Sequence, residues 1–361
     1  MRVFITAGEP SGDKLGAALM QGLQQRVPDI RFEGIGGDRM LEQGLESLFP
    51  MDEISIMGIA EILKDYRHLK ARIRQTADAV IEARPDVLIT IDLPEFSLRV
   101  ARLVKASSKV RVVHYVAPTV WAWRPKRAQK MASHVDQVLA LLPFEPPYME
   151  RAGVACDFVG HPVVMDPVAT PQEAEGFRDR HGVAGPMALV LPGSRRSEVS
   201  RLLPIFRAVA DRLHADRPDL RLVCPAARPV AQTVRAAVEA WPGAPIVIDP
   251  DEDHDGAQKR AAFRAADVAL AASGTVSLEL AAAGTPMVIA YDMSWLSRQI
   301  IGRMLLVDTV TLVNLVSETR AVPEFIGQAC RPGPIAQALL DTLDNPTAQD
   351  AAMAVTMDRL G

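Results

Sequence analysis

The sequence predicts an α/β protein built from two doubly wound domains. Three observations carry that expectation. Short β-branched runs alternate with longer helical patterns along the chain, the order of a parallel sheet with crossover helices. The strand runs are almost continuously apolar, as strands covered on both faces are. A proline-rich stretch from Gly160 to Glu173, with Pro162, Pro167 and Pro171, divides the alternation into two halves. The bounds expected are an N-terminal domain over 1–165, a second domain over 166–345 and a C-terminal helical segment over 346–361. A length of 361 residues suits two domains of ~150 residues each.

In the first half, strands are predicted at Val3–Ala7, Arg31–Ile35, Val87–Ile91, Val110–Val116, Gln137–Leu141 and Asp157–Val159. Helical spacing of apolar residues places helices at Lys14–Arg26, Leu69–Ala83, Leu98–Ser107 and Lys126–Ser133. In the second half, strands are predicted at Ala188–Leu191, Arg221–Cys224, Ile246–Ile248, Val268–Ala271 and Met287–Ala290. Helices separate them at Glu198–Ala215, Val230–Trp241, Ala257–Ala266 and Val276–Ala283. Neither an internal repeat nor a low-complexity tract is visible.

Composition narrows the function. Forty Lys and Arg against 44 Asp and Glu give a net charge of −4, without the basic excess of a general nucleic-acid binder. Hydrophobic residues at 48% and charged residues at 23% specify a full-size core. The longest uncharged stretch, Gly182 to Ser194, is broken by Pro186 and Pro192, short of the ~20 apolar residues a spanning helix needs. The apolar run after Arg2 meets Gly8 and Glu9 too soon for a signal peptide. Cys156, Cys224 and Cys330 form no CxxC pair, which fits a reducing cytosol.

In doubly wound sheets, ligands bind beyond the carboxyl ends of the strands. The chain's unusual residues fall at those ends, which points to one cleft between the two domains. Ser273, Gly274 and Thr275 lead into a helix, where small residues and free N–H groups suit a diphosphate. Glu279, one turn on, could accept the hydroxyls of a ribose. The bland alternative is an ordinary helix cap. Gly193, Ser194 and Arg195 make a second such turn, whose arginine could clamp a phosphate or simply be solvated.

After the first strand, Gly8 to Asp13 lacks both the GxGxxG and the GK[ST] signature. Glu9 and Asp13 put acid there, which disfavours a dinucleotide phosphate and suits sugar hydroxyls; Ser11 and Gly12 share the turn. Asp92 closes an apolar strand, as a general base beside a reacting hydroxyl or as a turn residue ahead of Pro94. Trp121 and Trp123 precede Arg124, Lys126, Arg127 and Lys130, in a chain with only 5% aromatics. Aromatics beside basic groups suit an apolar ligand with an anionic head, or pack a core beneath a basic face.

From Ile54 to Arg74, Ile59, Ile62, Leu63, Tyr66, Leu69 and Ile73 share one helical side, and five Lys or Arg stand against one Asp from Lys64 onward. Met57 belongs to the same segment. It reads as a membrane-surface helix or as a core-facing helix with a charged outer face. The acidic run Asp251–Gly256 starts like a calcium loop, but Ala262 stands where the bidentate Glu belongs. Seven histidines form no HExxH, so no metal site is predicted.

Ten ordered segments together resemble the lipid-A-disaccharide synthase family, bacterial inverting glycosyltransferases of the GT-B fold. They are Ala7–Asp13, Gly34–Met40, Ile56–Leu63, Ile91–Phe96, His114–Arg124, Leu142–Glu145, Gly160–Pro162, Leu191–Val199, Ala272–Glu279, and Asn314-Leu315 with Pro323–Phe325. The resemblance implies two Rossmann-like domains facing each other across a cleft. It implies transfer from UDP-2,3-diacylglucosamine to 2,3-diacylglucosamine 1-phosphate, giving a β(1→6) disaccharide 1-phosphate and UDP, with no cofactor. It implies work in the cytoplasm at the anionic inner-membrane surface, and a second copy of the chain as a candidate partner.

By the same resemblance, Asp92 is the base, and Glu9 and Asp13 contact sugar or position the base. Gly193, Ser194, Arg195, Ser273, Gly274, Thr275, Glu279 and Asn314 hold UDP. Ser11, Gly12, Met57, Ile59, Ile62, Leu63, Tyr66, Trp121, Trp123 and Arg124 face the acceptor or lipid. Leu93, Glu95 and Ala117 depart from the family pattern. The end at Gly361 comes earlier than in family members, whose last helix returns to the first domain; a shortened end with weaker domain closure or dimerisation is the expectation. The alternatives are another GT-B enzyme such as a UDP-GlcNAc 2-epimerase, and a non-catalytic nucleotide-binding protein that docks on membranes.

Overall fold

The computed structural model describes residues 1–55, 66–123, 125–293 and 305–361. The chain divides into two units, Met1–Pro162 and Val163–Gly361.

The first unit holds β1 (Arg2–Thr6), β2 (Arg31–Ile35), β3 (Glu46–Ser47), β4 (Val87–Ile91), β5 (Arg111–Tyr115), β6 (Gln137–Ala140) and β7 (Ala155–Phe158). Among the described residues they form one sheet in the order β3-β2-β1-β4-β5-β6-β7, with parallel pairing throughout. Its helices are α1 (Pro10–Arg26), α2 (Asp38–Glu42), α3 (Tyr66–Ala83), α4 (Pro94–Ser107), α5 (Lys126–Met131) and α6 (Pro146–Glu150). Alternate residues of the central strands feed two apolar clusters. Phe4 and Leu88 pack with Val100, Val112 and Met131, while Val3, Ile5, Ile89 and Ile91 pack with Met20. Both faces of β4 are therefore covered, and all five of its residues are buried.

The second unit holds β8 (Met187–Leu191), β9 (Arg221–Pro225), β10 (Ile246–Ile248), β11 (Val268–Ala272), β12 (Met287–Tyr291) and β13 (Glu324–Ile326). They pair in parallel in the order β10-β9-β8-β11-β12-β13. Its helices are α7 (Pro171–Arg180), α8 (Arg196–Asp216), α9 (Ala231–Val238), α10 (Ala257–Ala265), α11 (Val276–Ala283), α12 (Leu312–Ser317), α13 (Pro332–Asp344) and α14 (Thr347–Leu360). Counted from its own first strand, each sheet begins 3-2-1-4-5-6, the doubly wound nucleotide-binding order. The winding reverses between β1 and β4 in one unit and between β8 and β11 in the other.

Some boundaries differ from the sequence expectation, each for a physical reason. α1 and α4 begin at Pro10 and Pro94, because proline suits the first helical turn, where its missing N–H costs nothing. β3 and β13 span only two and three residues and carry no apolar run that would announce them. The C-terminal segment is built into the second unit. From α14, Gln349 accepts from the backbone N–H of Met287 at 2.8 Å and donates to its carbonyl at 3.0 Å, which fastens the helix to the start of β12.

Candidate active site

In the first unit, the turn after β1 and the turn after β4 meet at the winding reversal. The two turns approach closely there: a Cβ on residue 8 would lie 2.4 Å from Cδ2 of Leu93. Glu9 is the half-buried residue preceding α1. Ser11 is exposed, and Gly12 is buried against Ala7 and Ile91.

Asp13 has a structural duty that the sequence does not announce. It is buried, and its carboxylate accepts from the N–H groups of Gly37 (2.8 Å), Arg39 (3.1 Å) and Met40 (3.2 Å). It therefore fastens the β2–α2 turn to α1, with both of its oxygens accepting from backbone donors. It also borders a cavity of about 630 Å³ formed with the turns after β2 and β3.

Asp92 is half-buried on a strained turn. Asp92 and Leu93 both adopt left-handed backbone, at φ +49° and +46°. At the end of the neighbouring strand β5, Val116 has φ +78°, an outlier for a β-branched residue. Such conformations cost roughly 1–3 kcal/mol each and persist where the surroundings over-determine them, commonly at functional sites. Here the Asp92 N–H donates to the Tyr115 carbonyl at 2.9 Å, the Val116 N–H to Leu139 at 2.9 Å, and the Ser97 hydroxyl to the Asp92 carbonyl at 2.7 Å.

The aromatic segment after β5 corrects an expectation. Trp121 does not face lipid: it is buried, packs edge-on against Phe144 at 5.1 Å, and donates from Nε1 to Oε1 of Glu145 at 3.2 Å. Oε2 of Glu145 accepts the Leu142 N–H at 3.0 Å. Burial pushes the Glu145 carboxyl up to about 7, although its donors favour the ionised form. Behind Asp92, His114 is fully buried with Nδ1 at 2.8 Å from the Thr90 hydroxyl, and burial lowers its pKa to about 4. Trp123 is half-buried and donates to Thr119 Oγ1 at 2.9 Å.

Met57, Ile59, Ile62, Leu63, Arg124 and the Tyr66 side chain, expected at the acceptor or lipid, lie outside the described residues. In the described part of that segment, Leu69 and Ile73 are buried in the core and Arg67, Lys70 and Arg74 are exposed. Arg72 instead pairs with Glu53 and lies 4.5 Å over the Phe49 ring.

The second unit gathers most of its expected residues. At its winding reversal a cavity of about 410 Å³ is lined by Gly193, Ser194, Arg195, Ser273, Gly274, Thr275 and Glu279. That volume is within the usual range for small-ligand sites. Gly193 has φ +105°, and a Cβ there would meet Oε2 of Glu198 at 2.8 Å. Glu198 in turn accepts from Arg195 at 3.2 Å and meets the Tyr291 phenol.

Two charged residues of this cavity escaped the sequence reading. Glu198 is one, though its place in the Gly193–Glu198 turn was a signal. Lys259 is the other, and its ammonium lies 2.6 Å from Glu279 Oε2. The acidic run before it has a local task, since the Asp253 carboxylate accepts from the N–H groups of Gln258 and Lys259 and so caps α10.

Asn314, by contrast, does not line the cavity. It is buried, donates to Thr309 (3.2 Å) and the Val322 carbonyl (2.9 Å), and accepts from the Val322 N–H (3.0 Å). Its amide holds the chain around α12 in place of a nucleotide. Among the described residues no cluster of three or more His, Cys, Asp or Glu could hold a metal ion.

Two doubly wound units, each with a sheet that begins in the order 3-2-1-4-5-6, give the chain a fold of the GT-B class. A solved structure of similar fold is the UDP-GlcNAc 2-epimerase of Neisseria meningitidis bound to UDP-GlcNAc, with a TM-score of 0.67 and 14% identity over 100% of this chain and 95% of that one. That likeness concerns the fold alone. The chain belongs to the lipid-A-disaccharide synthetase family, whose model matches residues 3–360. The lipid-A-disaccharide synthase of Ruegeria pomeroyi is 61% identical over 100% of this chain and 91% of its own length. That of Rhodospirillum centenum is 48% identical over 96% and 86%. These identities decide for the synthase over the epimerase.

Proposed function

We propose that the chain joins UDP-2,3-diacylglucosamine to 2,3-diacylglucosamine 1-phosphate, with inversion, as a glycosyltransferase of lipid A biosynthesis. The observation that carries the reading is the second unit's cavity. It sets an arginine, two small-residue turns and a carboxylate around a space of about 410 Å³ at the strand ends where such sheets take nucleotides. The N–H groups of the Ser273–Thr275 turn and the Arg195 guanidinium oppose the charge that grows on the departing diphosphate. Glu279 receives the ribose hydroxyls.

In the first unit Asp92 is the base. Its carboxylate takes the proton of the acceptor 6-hydroxyl as that oxygen attacks the anomeric carbon from the face opposite UDP. The bond from that carbon to the diphosphate oxygen breaks, and its electron pair leaves with UDP. The β configuration follows from the single inversion, and the 1→6 position from the hydroxyl that attacks. Glu9, beside Asp92 at the same winding reversal, contacts the acceptor sugar, and the exposed basic residues of α3 meet an anionic bilayer surface.

The test is incubation of the purified chain with both diacyl substrates and mass detection of products. Equal amounts of the disaccharide 1-phosphate and UDP are expected. Release of free diacylglucosamine from the donor, with no disaccharide, overturns the proposal.

A further inference from the structure

Lys259 stands in the cavity without a place in the reaction above. It reaches in from α10, while Glu279 projects from α11. The two meet at 2.6 Å, with side chains 42% and 40% exposed. An ion pair that open contributes little to stability, so stability does not account for how firmly this one is built. The start of α10 is set by the Asp253 cap, which binds the N–H of Lys259 itself at 2.9 Å, and by Gly256 at φ +73°. One turn further, the Phe263 ring lies 5.0 Å from the ammonium. The cation is thus held between an aromatic face and one carboxylate oxygen.

We infer that Lys259 is a positioning residue that sets specificity: it fixes the direction of the Glu279 carboxylate, so that the site distinguishes a nucleotide with both ribose hydroxyls from one lacking the 2′-hydroxyl. The inference rests on the nucleotide reading proposed above. An ionised carboxylate offers about four lone-pair positions. Lys259 uses one on Oε2, and Oε1 has no protein partner among the described residues. Two hydroxyls on adjacent carbons can therefore be accepted together while the ion pair persists. Without the ammonium, Glu279 is free to turn among its rotamers, and the second hydroxyl loses most of its fixed acceptor.

The test is calorimetric titration of the unsubstituted chain, K259M, K259R and E279Q with UDP and with 2′-deoxyUDP. Methionine keeps the apolar stem without the charge, and unchanged thermal midpoints separate the effect from unfolding. The unsubstituted chain is expected to favour UDP by roughly tenfold or more, the value of a hydrogen bond to a charged acceptor. K259M should lose most of that preference by weakening UDP alone, K259R should retain it, and E279Q should abolish it.

Equal weakening of both nucleotides by K259M would place the ammonium on the diphosphate and overturn the inference, as would no change for either. A preference that survives E279Q would remove the ribose role of Glu279 and the inference with it. If the unsubstituted chain binds neither nucleotide, the nucleotide reading itself falls, and the two failures are told apart by that first titration.

Discussion

At the scale of single residues, position and duty were legible to different degrees. Asp92 is visible in the sequence as a lone carboxylate closing an apolar strand ahead of proline. Its left-handed backbone is not, because φ there is imposed by the Tyr115 carbonyl and the Ser97 hydroxyl, which the fold delivers from elsewhere. Replacing Asp92 by Ala is expected to lower turnover by roughly 10²–10⁴-fold, the usual worth of a positioned base. UDP affinity, measured by calorimetry, should stay within about twofold, since the cavity proposed for the nucleotide lies wholly in the second unit. Turnover within a few fold of the unsubstituted chain would mean that another group takes the proton. Asp13 and Asn314 show the opposite case. Each sits in a motif of the family, yet Asp13 accepts from backbone N–H groups and Asn314 bonds the Val322 backbone and the Thr309 hydroxyl, and a motif reports residue type without reporting where the side chain points.

At the scale of elements, the strands were easiest to see, because burial on both faces writes them as unbroken apolar runs. Loops were harder. The loops after β5 and β6 are tied by one carboxylate, Glu145, between the Trp121 indole and the Leu142 N–H. Nothing local to Glu145 distinguishes it from a solvated acid, and only the pairing of β5 with β6 brings the two loops together. Its raised pKa has a consequence for stability. The folded carboxyl titrates near 7 and an unfolded one near 4.5, so its contribution is fully present below about pH 4.5 and is lost as the pH rises through 7. The full loss amounts to about 3 kcal/mol. Urea unfolding from pH 5 to pH 8 should therefore show a stability of the unsubstituted chain that falls relative to that of the E145Q variant. The slope of the difference carries the prediction, since glutamine also forfeits one acceptor; a flat difference would mean that Glu145 is not protonated in the folded protein.

At the scale of the whole molecule, a net charge of −4 argues against attraction to an anionic bilayer, so the proposed attraction must rest on the distribution of charge. Among the basic residues of α3, Arg67, Lys70 and Arg74 are exposed, whereas Arg72 is engaged with Glu53 and Phe49. Reversing Arg67, Lys70 and Arg74 together to Glu is expected to cut binding to anionic vesicles at least tenfold at low salt, at about 1 kcal/mol per basic group. It should leave UDP affinity and the melting temperature nearly unchanged. Binding to neutral vesicles, where no charge is at stake, should not respond. Vesicle sedimentation that does not respond to the reversal would return α3 to the role of a core helix with a solvated face. The division into two doubly wound units was legible from strand–helix alternation, whereas the side chains that work in the cavity are separated in sequence and joined only by the winding.

The strand order shared by both sheets also bears on how the chain is made. In each unit the first strand ends up in the interior of its sheet: Val3 pairs with both Phe32 and Val87, and Ala188 with both Leu222 and Val268. One neighbour is supplied by the next strand to leave the ribosome, while the other is synthesised much later. Until then β1 and β8 each keep one edge unpaired, in a parallel topology whose distant contacts form slowly. For each unit, the stage of translation most exposed to misassociation ends when the strand leading to Asp92, or the one leading to Ser273, has emerged. The same two strands that cover the open edges of β1 and β8 thus lead directly into the residues on which the proposed chemistry depends.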